Sequence, residues 1–372
     1  MHTKTKAIHA AMEVVNQNPD IVPPVHRSTV YELDKEGRSE DDWHYTRLDN
    51  PNRVQWEHVL KVMEDGEAAA AFSSGVAAAS AVFQALEPGN HIIIPEDVYA
   101  GNRKLVKELM QPWGLKADFI DMTDLQNIKA HITGDTKLIW VETPSNPMMN
   151  IMDIGAITSL AHENGALVCV DNTWPTPINQ KPLDLGSDLV LHSTTKYFGG
   201  HSDILGGAIV SAEQDGIFEK IRMVQRVGGA VPSPDDCWML ARSTRTLPYR
   251  MRGHNENAEL LARFLQNHHK VEKVFYPGLA THAGHEVAEK QMTDFGGMIS
   301  FLVDGDADDA IDIVGRSKLI GRATSLGGVE STWEHRRSSE GEDSITPKNL
   351  IRISVGLEHA DDLLEDLDQA LV

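Results

Sequence analysis

Cysteine is nearly absent from this chain: Cys169 and Cys237 are the only two in 372 residues. Two isolated thiols build no disulfide framework and have no metal-ligand spacing, which points to a reducing compartment. Positive charge is also scarce, with 34 Lys and Arg against 55 Asp and Glu and a formal net charge of -21. Such a field repels nucleic acid and anionic membranes, and both are excluded as expected partners. Any arginine that binds an anion must then do so locally, against the overall potential. No apolar run approaches the ~18 residues of a membrane span, and the mean hydropathy is -0.30. The opening "MHTKTKAIHAAMEVV" has neither the apolar stretch nor the cleavage site of a signal peptide, so a cytoplasmic location is expected. Repeats and low-complexity segments are missing too. The glycine pairs "GGHS", "LGGA" and "VGGA" lack the Gly-x-Gly-x-x-Gly spacing of a dinucleotide site. Histidine is common, at 17 residues, so His192 with His201, or His282 with His285, is a chance pairing. No metal is expected.

What is present is an alternation. A chain of this length exceeds one small core, and two domains are the natural expectation. The first ~45 residues, with "NPDIVPPV" and "DKEGRSEDD", read as an irregular arm laid on something else. Helical stretches such as "QWEHVLKVME" then alternate with β-runs: "EAAAAF", "HIIIPED", "KADFIDM", "TKLIWVE", "ALVCVD", "SDLVLH" and "GGAIVSA". Runs apolar on both faces and separated by helices predict an α/β fold with a mainly parallel sheet covered on two sides. Beyond ~240, "HNENAELLARFLQNH", "MISFLVD", "ADDAIDIVGRSK" and "NLIRISVGLE" predict a smaller α+β domain. The expected division is an arm over 1–45, a large domain over 46–240 and a small domain over 241–372.

Sheets of this kind bind ligands at the carboxyl ends of their strands. Two ends are chemically dense. "ALVCVDNTW" ends its apolar run at Asp171, and "DLVLHSTTK" ends at Ser193, Thr194, Thr195 and Lys196. Lysine is rarely buried and its ammonium is costly to desolvate. An acid, a lysine and hydroxyls meeting over one crevice suggest pyridoxal phosphate: lysine for a Schiff base, aspartate for the pyridine nitrogen, hydroxyls for the phosphate. Taken singly, each is ordinary: a solvated lysine, a turn aspartate, polar loop residues. Ser73, Ser74 and Gly75 stand before an Ala-rich helix, where free N–H groups favour an anion, although taken alone they read rather as a plain serine N-cap. In "NLIRISVGLE", alternation sets Ile351, Ile353 and Val355 against Arg352 and Ser354. Arg352 so placed has a fixed anionic partner, either a substrate carboxylate or a structural acid.

With these residues assembled, the chain resembles the Cys/Met-metabolism family of PLP enzymes, from "VPPVHRSTVYE" to "IRISVGLE" and above all in "DLVLHSTTKYFGGHSDILGGAIV". The resemblance implies a fold-type I enzyme with a seven-stranded sheet, Lys196 as the Schiff-base lysine and pyridoxal 5'-phosphate as cofactor. It implies Asp171 at the pyridine nitrogen, and Ser193, Thr195, Gly75 and Val76 at the phosphate. Tyr45 and Arg47 of "YTRLDNP" would reach the phosphate of a neighbouring subunit, in a tetramer built as a dimer of dimers with shared active sites. Tyr99 would stack on the cofactor ring and assist catalysis, and Asn146 would lie near its phenolic oxygen. Ser325 and Arg352 would clamp the substrate carboxylate. The expected activity is γ-elimination or γ-replacement on sulfur amino acids or homoserine esters, of the cystathionine γ-synthase and γ-lyase kind. The alternatives are methionine γ-lyase, O-acylhomoserine sulfhydrylase or cystathionine β-lyase activity, another PLP reaction such as transamination, and a binding protein without turnover.

The chain departs from the family in places. Leu326 of "SLGG" fits γ-acting members, since β-lyases tend to carry tryptophan there. Thr324 stands where cystathionine γ-enzymes tend to have glutamate, which removes the carboxylate expected for a distal amino group. Ala100 and Asn102 leave the methionine γ-lyase reading without support. "WEHRRSSEGED", residues 333–343, replaces a "HPASMTH"-like run; Trp333, His335, Arg336 and Arg337 either alter the pocket or form a solvated, charged loop, and the loop is the favoured reading for the two arginines.

Overall fold

The structure, a computed structural model, describes residues 1–14, 20–37, 43–341 and 344–372. Parts of the "NPDIVPPV" and "DKEGRSEDD" stretches, and the last two residues of "WEHRRSSEGED", therefore lie outside the described residues. The seven apolar runs form one sheet: β1 (Ala68–Phe72), β2 (His91–Pro95), β3 (Lys116–Ile120), β4 (Thr136–Glu142), β5 (Leu167–Asp171), β6 (Leu189–His192) and β7 (Gly207–Ser211). Their order is β1-β7-β6-β5-β4-β2-β3, with β7 antiparallel to both neighbours and every other pair parallel. Two antiparallel steps cancel, so β1 runs in the same direction as β6. The carboxyl ends of β1, β4, β5 and β6 thus open on one edge. Most residues of these strands are buried, because helices cover both faces and leave no polar side to alternate with.

A second sheet follows: β8 (Val271–Phe275), β9 (Met298–Val303), β10 (Gly321–Arg322), β11 (Thr332–His335) and β12 (Leu350–Ser354), in the order β10-β11-β12-β9-β8. The alternation in "NLIRISVGLE" holds. Ile351, Ile353 and Val355 join Phe301 and Trp333 in one core, while Arg352 and Ser354 face away. The Leu247–Gln266 helix covers this sheet and begins seven residues before "HNENAELLARFLQNH", with proline in its first turn, where the missing N–H costs nothing.

Two expectations are corrected. The arm is not wholly irregular: the Thr3–His9 helix and the Ala10–Met12 3-10 turn after it bury Ala7, Ala10 and Ala11 in one core with Trp56 of the Pro51–Glu64 helix. Small residues let the two backbones approach closely, which a search for long apolar periodicity overlooks. Nor do residues 333–337 form a solvated loop. Trp333 is fully buried, Glu334 and His335 lie on β11, and Arg336 is only 5% exposed. The arginine charge is neutralised by Glu334 and Glu340 rather than by water. Arg337 is half-buried and donates to the Thr346 carbonyl (2.7 Å).

Candidate active site

One cavity opens where the carboxyl edge of the first sheet meets β11 and β12 of the second. Register assembles its floor. Glu142 of β4 lies beside Asp171 of β5, and Asp171 beside Leu191 of β6, so both carboxylates and the Ser193–Lys196 turn share the edge. Asp171 accepts a hydrogen bond from the Thr173 amide (3.1 Å). Burial raises its pKa, an effect opposed by that bond, His192 and Lys196. Glu142 escaped the sequence reading, although a carboxylate ending the apolar run "LIWV" was a usable signal. It accepts from the Tyr99 amide (2.9 Å). Burial, followed by the Asp171 charge, pushes its pKa well above the usual carboxylate range.

Lys196 projects into this cavity, and its Nζ donates to Ser325 Oγ (2.6 Å). Burial foremost, then the Arg352 and Arg336 charges, bring its pKa from 10.5 down to about 8. A lysine so perturbed holds an appreciable neutral fraction near neutrality, as a nucleophile or general base requires. Ser325 sits at φ +80°, a left-handed conformation that costs a non-glycine residue about 1 kcal/mol or more. The loop after it presses on the lysine peptide: a Cβ on Gly327 would stand 2.8 Å from the Tyr197 nitrogen. The strained serine is thereby held against the amine.

The third wall is the start of the Gly75–Gln84 helix. Ser74 caps it by accepting from the Ala77 amide (3.1 Å), so the Gly75 and Val76 amides are left facing the cavity. A Cβ on Gly75 would stand 2.8 Å from Ser193 Cβ, so glycine lets the helix end meet the Ser193 hydroxyl. Thr195 lines the same wall, its hydroxyl donating to the Gly206 carbonyl (3.2 Å) and accepting from the Gly206 amide (3.0 Å). Helix amides, a serine hydroxyl, a lysine of depressed pKa and an opposing carboxylate are the donor set that a phosphorylated pyridine aldehyde needs. The residues fit pyridoxal phosphate.

The second sheet closes the cavity with Arg352. Register sets it opposite Glu334, to which its Nη2 donates at 2.5 Å. Its Nη1 donates to Asn146 Oδ1 (2.8 Å), and Nη2 also to the Ser325 carbonyl (3.1 Å). Both readings of Arg352 thus have support: it has a structural acid and it lines the cavity. Tyr99, Asn102, Thr324 and Leu326 line it too. Tyr45 and Arg47 do not. They stand exposed at the surface, the Arg47 guanidinium 5.7 Å from the Tyr45 ring centre. His192 lies under the floor, paired with buried Glu64 (2.5 Å). Among the described residues, no group of three or more His, Cys, Asp and Glu could hold a metal, and no helix is long and apolar enough to cross a membrane.

Sheet order, strand-end lysine and acid, and helix-end cradle define a fold-type I PLP-dependent enzyme. Residues 4–372 match the family profile described as "Cys/Met metabolism PLP-dependent enzyme", and the chain belongs to that family. It is 43% identical to a cystathionine γ-synthase of Mycobacterium leprae over 99% of this chain and 96% of that protein. The crystal structure of metB from Corynebacterium glutamicum superposes with a TM-score of 0.97 at 41% identity, covering 100% of this chain and 98% of the other. A cystathionine γ-lyase of Lactobacillus plantarum complexed with L-serine gives 0.94 at 36% identity, with the same coverage. The chain is thus a PLP-dependent transsulfuration enzyme of the cystathionine γ-synthase and γ-lyase kind, acting on an amino acid.

Proposed function

We propose that the chain catalyses γ-replacement or γ-elimination, with homoserine esters favoured over cystathionine as substrates. The observation that carries the reading is the Lys196 amine, hydrogen-bonded to Ser325 and facing Asp171 across a cavity that Arg352 closes. Lys196 would hold the cofactor through its amine, and that amine would act as the base that takes the Cα proton and moves it along the substrate. Its depressed pKa supports that duty. Asp171 keeps a proton on the pyridine nitrogen. The Gly75 and Val76 amides, Ser193 and Thr195 hold the phosphate. When bound, the cofactor supplies the electron sink that makes Cα–H and then Cβ–H acidic. Arg352, steadied by Asn146 and the Ser325 carbonyl, orients the α-carboxylate. Tyr99, 41% exposed at the cavity mouth, would hold the cofactor from that side and assist departure of the Cγ substituent.

Thr324 gives the cavity no carboxylate for cystathionine's distal ammonium, which favours the ester reading. Tyr45 and Arg47 lie outside the cavity of their own chain, which supports their serving a second subunit in a homo-oligomer, a tetramer of two such dimers. We also assign the functional division of 1–45 as arm, 46–240 as cofactor domain and 241–372 as small domain. Product analysis tests the activity. O-acylhomoserine with a thiol should give the γ-substituted thioether, and L-cystathionine should give 2-oxobutyrate and cysteine more slowly. Pyruvate and homocysteine from cystathionine would mean β-cleavage and overturn the γ-acting reading.

A further inference from the structure

Arg250 does not line the cavity, yet it holds the turn that carries Lys196 from behind. It stands in the first turn of the Leu247–Gln266 helix and is only 6% exposed. Among the described residues no carboxylate pairs with it, and its guanidinium meets only carbonyls and hydroxyls. Nη1 donates to the Tyr197 carbonyl (2.6 Å) and Nε to the Thr246 hydroxyl (3.2 Å). Nη2 donates to the Ser243 carbonyl (3.1 Å) and hydroxyl (3.3 Å). The Ser243 hydroxyl relays the contact by donating to the Gly199 carbonyl (2.6 Å). Tyr197 follows Lys196 directly, and among the described residues its carbonyl accepts no other hydrogen bond.

This is an unfavourable place for a cation. A buried charge without an acid is strongly destabilising, and burial alone brings the Arg250 pKa from 12.5 down to about 10. The first turn of a helix is also the end whose dipole disfavours a positive charge. Part of the cost is offset next door, because the Ser243 carbonyl belongs to the last turn of the Pro234–Thr244 helix, whose dipole favours one. Packing alone would be served by methionine, and a single carbonyl by glutamine or lysine. Only the planar fork of a guanidinium ties the Tyr197 and Ser243 carbonyls together. The other side of the turn is already held. The Gly327 backbone closes on the Tyr197 nitrogen, and the Val329 amide donates to the Gly200 carbonyl (3.0 Å). The peptide after Lys196 is thus pinned on its carbonyl side by Arg250 and on its amide side by the 325–329 loop.

We propose that Arg250 is a positioning residue for Lys196: by fixing the Tyr197 peptide it aims the lysine amine into the cavity, without touching cofactor or substrate. The inference rests on the reading of Lys196 as the lysine that holds the cofactor, and the test separates the two. The full-length protein, freed of cofactor, is given two probes. One is pyridoxal 5'-phosphate, whose aldehyde the amine attacks with loss of one water. The other is pyridoxine 5'-phosphate, which has the same ring and phosphate with an alcohol in place of the aldehyde. At about pH 9 the lysine amine is mostly neutral and the guanidinium still charged, so position is read apart from charge. In Arg250→Gln the rate of covalent attachment at saturating aldehyde, followed by absorbance, should fall about ten- to a hundredfold, as for a reacting group misplaced by about an ångström. Affinity for the alcohol should hold. Arg250→Lys should restore little, because an ammonium has no fork to span two carbonyls. Ser243→Ala keeps the guanidinium and removes the relay to Gly199. It should slow attachment about threefold, the loss of one hydrogen bond, and it carries the test if Arg250→Gln does not fold. Attachment at the wild-type rate in these variants overturns the proposal. Equal weakening of both probes overturns it too, since Arg250 would then support the whole cradle rather than the lysine. If the wild type attaches no aldehyde, the reading of Lys196 falls and the proposal with it. Wild-type attachment that survives undiminished in Arg250→Gln overturns the role of Arg250 alone.

Discussion

The two walls of the cavity are built on different principles. The floor is the carboxyl edge of a parallel sheet, where Asp171, Ser193 and Lys196 stand at strand ends with few ion-pair partners of their own. The opposite wall is built on antiparallel strands, in which Glu334 is paired with Arg352 across register and with Arg336 just beyond its own strand. The floor leaves a lysine and an acid under-compensated, which shifts both pKa values and makes them reactive. The wall neutralises its charges among themselves and offers fixed donors for recognition. The proposed function thus lodges reaction and selection in separate sheets.

The largest effect should come from breaking the floor. Lys196→Ala removes the proposed nucleophile and base together, and turnover should fall by about 10⁴-fold or more. The yellow colour of the cofactor-loaded protein should be lost with it. An absorbance spectrum and a product assay on the same sample check this, and substantial turnover in the variant would sink the mechanism.

Next comes the wall. Arg352→Gln leaves Glu334 with fewer cations and strips the proposed carboxylate clamp, so kcat/KM should fall by about 10²- to 10³-fold. Most of the loss should lie in KM. Arg352→Lys should rescue little, because an ammonium cannot reach Asn146, Glu334 and a substrate carboxylate in one plane. A loss confined to kcat would instead make Arg352 part of the floor's chemistry and erase the distinction drawn here.

The two walls were unequally legible. Asp171 and the Ser193–Lys196 run end apolar strands, and a polar residue there has no packing reason to exist, so both strand ends stand out. The seven strands were readable for the same reason. Glu142, at the end of β4, obeys the same logic, since it closes the apolar run "LIWV". The wall hides itself. "WEHRRSSEGED" reads as solvated because its charges balance within a few residues, yet the balance is what allows burial once β11 pairs with β12. β8, "VEKVF", was missed because two of its five residues are charged and exposed, as suits an edge strand. Cross-strand partners such as Glu334 and Arg352 are set by register, which no local pattern reveals.

Coupling between the walls is measurable through Lys196. Without cofactor, its reaction with a small aldehyde should rise with pH and level off above about 8, since only the neutral amine attacks. The Arg336 charge disfavours the ammonium, so Arg336→Gln should stabilise the protonated form and move the midpoint upward. A downward movement, followed by rate against pH, would mean that the wall acts on the lysine through burial rather than charge.

The smallest effect tests selection alone. Thr324 is exposed on the cavity rim, so Thr324→Glu adds a carboxylate without disturbing packing. Near a substrate's distal ammonium, a partly solvated pair returns about 1 kcal/mol. The kcat/KM for L-cystathionine should therefore rise by about fivefold, while an ester with an anionic γ-substituent should lose by a similar factor through like-charge repulsion. Opposite movement of the two substrates is the signature of recognition by the second sheet's side of the cavity. Parallel loss of both would mean that the rim bears on the reacting atoms, and that selection and chemistry are not divided between the two sheets.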